Sequence, residues 1–424
     1  MKRIAVIGTA LICIAAIARA DVPSYRVDFL GAGWTGTGIN ERGDVCGSVS
    51  PDGTALRAGV SRNGQPFEYL PLPAGMQTSR AHDINDAGVI VGAVCANQYV
   101  ITQPTAAVWR PVAGGYEVDV LSGLPGDPYS SASAINNVGD IVGASGFWGW
   151  NLSNGVHFTP QGPVALASGM LGVDVNDERV VVTGNRLLDL DTGVITTIPL
   201  PAGNWQGVVS SAINNASEIC GYVSGYSSCS IFPVRCREVV GWEFLGGCAP
   251  TAASATAMND RGDALSYYYT TTSGVTFVDE GYFMLGSLIA PGEGEYYVQY
   301  GGANGINNSR QIVAGARQGF SGPIGAILMT PLAPTGIDEP PVMPEPVVRV
   351  VPNPSFGVVR LEGVSVELSD AKWGVFDVSG RLRARFAGPT WDGVADSGER
   401  VSAGVYFARP LGGRSEPVVR LIRR

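Results

Sequence analysis

Short runs in which apolar residues alternate with small polar ones recur along almost the whole chain, and no stretch sustains the i, i+3, i+4, i+7 spacing of an amphipathic helix. AAVWR (106–110), YEVDVL (116–121), SSASAIN (130–136) and DIVGAS (140–145) are typical. Each is rich in residues that suit a pleated surface, and Gly, Pro or Ser residues separate them. The pattern predicts an all-β chain of short antiparallel strands.

One segment repeats. INERGDVCG (39–47), INDAGVIVG (84–92), INNVGDIVG (135–143) and INNASEICG (213–221) share an apolar residue, an Asn, a turn and a second apolar run. Aligning the weaker copies places the Asn at Asn40, Asn85, Asn136, Asn176, Asn214, Asn259 and Asn307, in steps of 45, 51, 40, 38, 45 and 48 residues. Such a period matches one four-stranded propeller blade. Seven units of four strands predict a seven-bladed β-propeller over residues 21–330. YRVDFL (25–30) nearly repeats the second-strand sequence YEVDVL, and GAILMT (325–330) resembles the first-strand sequence AAVWR. Pairing 25–30 with 325–330 would complete one blade from both chain ends and remove the exposed edges of a linear array. A β-solenoid, the rival architecture, usually has shorter repeats.

The same alignment assigns roles within the corner. Asn begins a type I turn and accepts a turn N–H, while Gly43, Gly88, Gly139 and Gly262 take the left-handed position. Arg179, Ser217 and Arg310 stand at that position in units four, five and seven. Seven copies of one residue indicate seven equal corners, whereas an active site needs its nucleophile once.

The repeated SRAHDINDAGVIVGAV and SSASAINNVGDIVGAS resemble the bacterial extracellular HAF repeats, whose core is similar to A-x-x-I-N-[DN]-x-G-x-I-V-G. The resemblance covers roughly residues 25–330 and implies an exported, propeller-like protein with no assigned reaction. Residues 331–354 hold eight prolines, which favour a semi-stiff extended spacer; 331–346 is read as the linker. Beyond it, over 347–424, PNPSFGVVRL, VFDVSGRLRARF, WDGVADSGERVSAGVYFARP and VVRLIRR resemble the C-terminal sorting domain of type IX secretion cargo. They are equally similar to the immunoglobulin-like domain of the flagellar hook cap. The resemblance implies a small immunoglobulin-like β-sandwich whose partner is a secretion or outer-membrane sorting machinery.

Composition places the protein outside the cytoplasm. Lys2 and Arg3, an apolar run over 4–17 and Ala18-Arg19-Ala20 read as a signal peptide over residues 1–20. No other run reaches the roughly 18 apolar residues of a transmembrane helix. The expected location is extracellular, or the outer-membrane surface of a Gram-negative-type bacterium. Residues 21–345 carry 13 Arg and no Lys against 29 acids, a balance of −16, whereas 346–424 carry 12 basic against 8 acidic residues. An acidic body is a poor partner for nucleic acid, which needs a basic surface.

Six cysteines follow residue 20: Cys46, Cys95, Cys220, Cys229, Cys236 and Cys248. An even count in an exported chain suggests disulfides, with the last four grouped and Cys46 with Cys95 as the remainder. No C-x2-C spacing points to zinc. Calcium has one weak candidate, Asp83, Asn85 and Asp86, but Ala87 and Val94 fail the loop pattern at its fifth and twelfth positions. No metal or other cofactor is expected.

The catalytic inventory is thin. His82 and His157 are the only histidines, both read as structural, and no G-x-S-x-G elbow occurs. A carbohydrate-active enzyme using two carboxylates of the central funnel is the alternative; Asp28, Asp83, Asp119 and Asp174 recur near the repeat strands, a recurrence that points to blade architecture rather than one asymmetric active site. The favoured function is non-catalytic binding of a carbohydrate or protein at the cell surface; a purely architectural envelope role is the third reading. Aromatic residues where the repeat breaks, Trp148, Trp150, Tyr268 and Tyr297, form the candidate ligand platform.

Overall fold

In the computed structural model the described residues are 23–51, 55–97, 103–147, 151–225, 231–237, 241–245, 253–268, 272–278, 280–332, 349–351, 358–362, 372–377, 381–410 and 419–423. The segment expected to be a signal peptide, 1–20, and, apart from Pro331 and Leu332, the expected linker lie outside them. The chain divides into two compact units, Met1–Pro334 and Thr335–Arg424.

The first unit is propeller-like. Among its described residues are seven four-stranded antiparallel sheets. Sheets 1 to 6 begin with the strands Trp34–Ile39, Thr78–Ile84, Tyr129–Ile135, Asp174–Val175, Trp205–Ile213 and Ala253–Met258. Each then adds its next three strands in chain order. Sheet 7 consists of Tyr296–Ile306, Ile312–Gln318, Ile324–Pro331 and, on its outer edge, Tyr25–Ala32 from the start of the chain. Tyr25 pairs with Pro331 and Ala32 with Gly325. Ser24 carbonyl then accepts the Leu332 N–H at 2.7 Å.

Where a sheet buries both faces, its second strand is buried along its length instead of alternating, as in Ile90–Cys95, all six residues of which are buried. Ile90 and Val94 pack toward sheet 1, with Cys46 and Val60, while Val91 packs toward sheet 3, with Ala132 and Ile141. Separate apolar clusters fill all seven seams, including the one between sheets 7 and 1, where Leu30, Val313 and Leu328 meet Val45.

The first strands of six sheets carry a bulge, for example between Ala81 and Asp83 and between Ala132 and Ala134. The bulge accounts for a second Gly in the repeat. A Cβ on Gly92 would lie 2.0 Å from the Arg80 carbonyl oxygen, and one on Gly143 would lie 2.1 Å from that of Ser131.

Among the described residues of the second unit are two antiparallel sheets. One contains Arg349–Val351, Val359–Glu362 and Thr390–Trp391; the other has the order Leu382–Ala387, Lys372–Asp377, Gly404–Pro410, Val419–Arg423. Val359, Leu361 and Trp391 from the first share a core with Trp373, Val375, Tyr406 and Leu421 from the second.

Candidate functional site

All seven repeat asparagines meet at one end of the first unit, and each has two tasks. Its Oδ1 accepts the backbone N–H four residues on, as from Asp44 to Asn40 and from Val89 to Asn85, which closes its own turn. Its Nδ2 donates to the backbone carbonyl of the asparagine in the next sheet. The order is Asn40 to Asn85, Asn136, Asn176, Asn214, Asn259, Asn307 and back to Asn40, at 2.8–3.2 Å. Asp could perform the first task but has no N–H for the second. Left-handed backbone follows each Asn at the third position. Gly43, Gly88, Gly139 and Gly262 have φ of 79° to 93°, and Arg179, Ser217 and Arg310 are held at 59° to 61°.

The next residue in each repeat builds a second closed ring. The backbone N–H of Glu41, Asp86, Asn137, Asp177, Asn215, Asp260 and Asn308 each donates to the side-chain oxygen of its successor, at 2.7–2.8 Å. Asn137 and Asn215 also donate to Asp177, while Asn215 and Asn308 donate to Asp260. These residues rim a cavity of about 280 Å³ on the ring axis. Burial raises the Glu41 pKa, and the charges of Asp86 and Asp260 push the same way.

A ring of apolar residues, among them Ile39, Met258 and Ile306, separates this mouth from a second axial chamber of about 230 Å³. Bulge residues line the chamber, and several reach the neighbouring sheet. Thr37 donates to Ala81 O at 3.0 Å, Thr256 to Ala303 O at 2.7 Å and Asn304 to Gly36 O at 2.8 Å. His82 Nδ1 lies 2.7 Å from Ala132 O, which makes that nitrogen the protonated one, and burial lowers the ring's pKa. Asp83 and Asp174 also face the chamber. Burial raises Asp83 to about 6, and burial together with the Asp83 charge raises Asp174 to about 7.

The opposite end of the unit has a different chemistry. First strands run toward the Asn turns and second strands run back, so first-strand starts and the links between second and third strands share this far end. Tyr297, 48% exposed, lies beside the start of the first strand of sheet 7. Tyr268 ends the second strand of sheet 6. Trp148 and Trp150 lie outside the described residues; their neighbour Phe147 is exposed and follows the second strand of sheet 3.

Sequence reasoning missed a further aromatic group here. Sheet 4 is short: its first two strands are Asp174–Val175 and Val180–Thr183, against Trp205–Ile213 and Ile219–Gly225 in sheet 5. It covers Ile219 and Cys236 of its neighbour. Farther along the same face, Trp205, Phe232 and Phe244 are left part-exposed, with ring centroids 5.3–5.6 Å apart. The only available signal was the pair of shortest repeat steps flanking Asn176.

The cysteine expectation needs correction. Cys46 and Cys95 are free and buried in different sheets: the Cys46 thiol faces Thr37 Oγ1 at 3.3 Å, and Cys95 Sγ accepts from Asn97 N–H. Cys220 is also free, while Cys236 is buried in the third strand of sheet 5; Cys229 and Cys248 lie outside the described residues. The oxygens of Asp83, Asn85 and Asp86 do not converge. Among the described residues, no group of three or more His, Cys, Asp or Glu is arranged to hold a metal. Asp28 and Asp119 pair on the surface with Arg26 and Arg110. His157 Nε2 bonds Asp140 at 3.0 Å beside Arg179, a link between sheets 3 and 4.

No family model and no curated protein matches the chain. Among solved structures it is similar to PorZ, a bacterial surface component of the type IX secretion system of Porphyromonas gingivalis, at 12% identity and a TM-score of 0.33 over 94% of this chain and 75% of that one. It is similar to AofleA from Arthrobotrys oligospora at 9% identity and 0.32, over 95% and 94%. A puromycin hydrolase gives 13% and 0.28, over 93% and 52%. At these TM-scores the likeness assigns no activity.

Proposed function

We propose that the protein is an exported seven-bladed β-propeller that binds a carbohydrate or protein ligand without turning it over. The observation that carries this reading is the wall of Trp205, Phe232 and Phe244 left open where sheet 4 stops short. Aromatic faces can stack on a sugar ring or anchor a partner's side chain, and they lose little side-chain entropy on binding. Tyr297 and Phe147 add exposed rings at the same end. The amide rings at the other end are consumed by the fold, which leaves the far end for recognition.

The test is a glycan and protein array probed with the chain from residue 21 onward, paired with an assay for released sugar. Binding without turnover, lost in Phe244→Ala with melting unchanged, supports the reading. Turnover abolished by Asp174→Asn would overturn it in favour of the carbohydrate-active enzyme. That rival draws its support from two carboxyl groups of raised pKa, Asp83 and Asp174, in one axial chamber. A purely architectural protein would give neither signal.

In the same reading, residues 347–424 are an immunoglobulin-like module that takes the chain through a type IX-like route to the cell surface. The ordered motifs from PNPSFGVVRL to VVRLIRR support it. Deleting 347–424 should leave the protein behind the outer membrane; normal surface delivery of the truncated chain would refute the sorting role.

A further inference from the structure

Asp83 and Asp174 occupy equivalent positions in sheets 2 and 4, two residues before the repeat Asn. The other sheets have Gly38, Ala134, Ala212, Ala257 and Gly305 there, none of which can bridge a seam through its side chain. Each carboxyl group uses one oxygen on the N–H of the following residue, Ile84 or Val175, at 2.8 Å. It uses the other on a backbone N–H of the adjacent sheet, Ile135 for Asp83 and Ile213 for Asp174, at 2.9 Å. Two of the seven seams are therefore crossed by a carboxyl bridge near the axis.

Among the described residues, no Lys or Arg lines the chamber that these groups face; Thr37, Ser133, Ser211, Thr256 and Asn304 do. Burial lowers the pKa of His82, beside Asp83, which works against a positive charge on its ring. Cys46, packed from sheet 1 near Asp83, is pushed up to about 12 by burial, and Cys220, from sheet 5 near Asp174, is also raised by burial; both thiols are neutral. Arg235, whose charge reaches Cys220, is engaged by Glu243 and the Gly262 carbonyl. Two ionised carboxylates here would lack a counter-charge and repel each other.

We infer that Asp83 and Asp174 form a proton-operated latch, which seals the seams between sheets 2 and 3 and between sheets 4 and 5 when protonated and weakens the ring when ionised. A protonated carboxyl keeps an acceptor on each N–H and leaves no charge in the chamber. Ionisation strengthens the two bridges but leaves two like charges in a low-dielectric space, and the second effect is the larger. The folded pKa values lie above the unfolded value of 3.8. The stabilisation is therefore complete below about pH 4 and is lost as the pH rises through about 6 and about 7. This role does not depend on whether the chamber receives a ligand.

The experiment is a pair of pH titrations between about pH 4 and 8, on the chain from residue 21 onward. Urea unfolding should show the folded-to-unfolded ratio falling by roughly ten-thousandfold across this range, because a carboxyl group contributes a factor of ten for every pH unit that separates its folded from its unfolded pKa. Asp83→Asn with Asp174→Asn should abolish most of that fall. Infrared difference spectra of the unaltered protein should show carboxyl groups losing their protons between about pH 5 and 8, a readout that stands even if the double variant does not fold. A fall retained in the variant, or spectra with no carboxyl titrating in that window, overturns the latch.

Discussion

The side-chain amide of Asn307 donates to the backbone carbonyl of Asn40 at 3.0 Å, across 267 residues of sequence. This bond joins the last repeat to the first, and six equivalents join the others. Asn307→Asp should retain the turn but set a carboxylate oxygen against the Asn40 carbonyl, with a cost of about 1–3 kcal/mol. Asn307→Ala loses both tasks and should cost at least as much. Urea midpoints of the two variants check the order; an Asp variant as stable as the native chain would show that the donated bond contributes nothing.

Two of the non-glycine residues held at left-handed φ in the repeat corners, Ser217 and Arg310, should respond in opposite directions to one substitution. Ser217→Gly relieves backbone strain of roughly 1 kcal/mol and gives up only a 3.2 Å contact from Asn176, so stability should rise slightly. Arg310→Gly relieves similar strain but removes the nearer of two charge partners of fully buried Asp263, a bond to Glu280 and a guanidinium 4.2 Å from the Phe277 ring centre. Its net cost should be about 3 kcal/mol. Thermal melting of both variants reads the two signs directly.

The Asp140 cluster should lose stability in acid. Burial works against the Asp140 carboxylate, but hydrogen bonds from His157 and Asn136 and the nearby Arg179 charge outweigh it and hold its pKa below the ordinary value. A depressed folded pKa gives stability that is present above about pH 4 and lost as the pH falls through the folded value. His157→Phe should flatten this acid limb and leave the neutral-pH limb of the axial chamber in place.

Native thiol chemistry should be slow. Cys46, Cys95 and Cys220 are buried, and burial pushes the Cys46 thiol up to about 12. Since the thiolate is the reactive form, alkylation of Cys46 and Cys220 at pH 8 should wait for unfolding. Rapid labelling of either in the folded protein, read by peptide mass, would contradict their placement.

The all-β architecture was legible because strand signals here are local: alternation, Gly and Pro boundaries, and one motif written many times. The outward task of each repeat Asn was not. Its acceptor lies 38 to 51 residues away in six repeats and 267 away for Asn307, and nothing near Asn136 in sequence announces the Asn176 carbonyl. The Trp205 group was hidden for a related reason: Trp205, Phe232 and Phe244 are scattered, and only the shortness of the neighbouring sheet exposes them. Cys46 and Cys95 were misread because cysteine counting ignores where thiols point, and Cys46 is packed against its own seam.

The Ser24 carbonyl and the Leu332 N–H, 2.7 Å apart, bring the two ends of the propeller-like unit together. Its blades therefore have a cyclic order and no structural beginning. Circular permutants that join 24 to 332 through a short linker and open the chain at any link between an outer strand and the next inner one should keep the same ring. The point at which the polypeptide starts is a property of the gene, and the fold is indifferent to it.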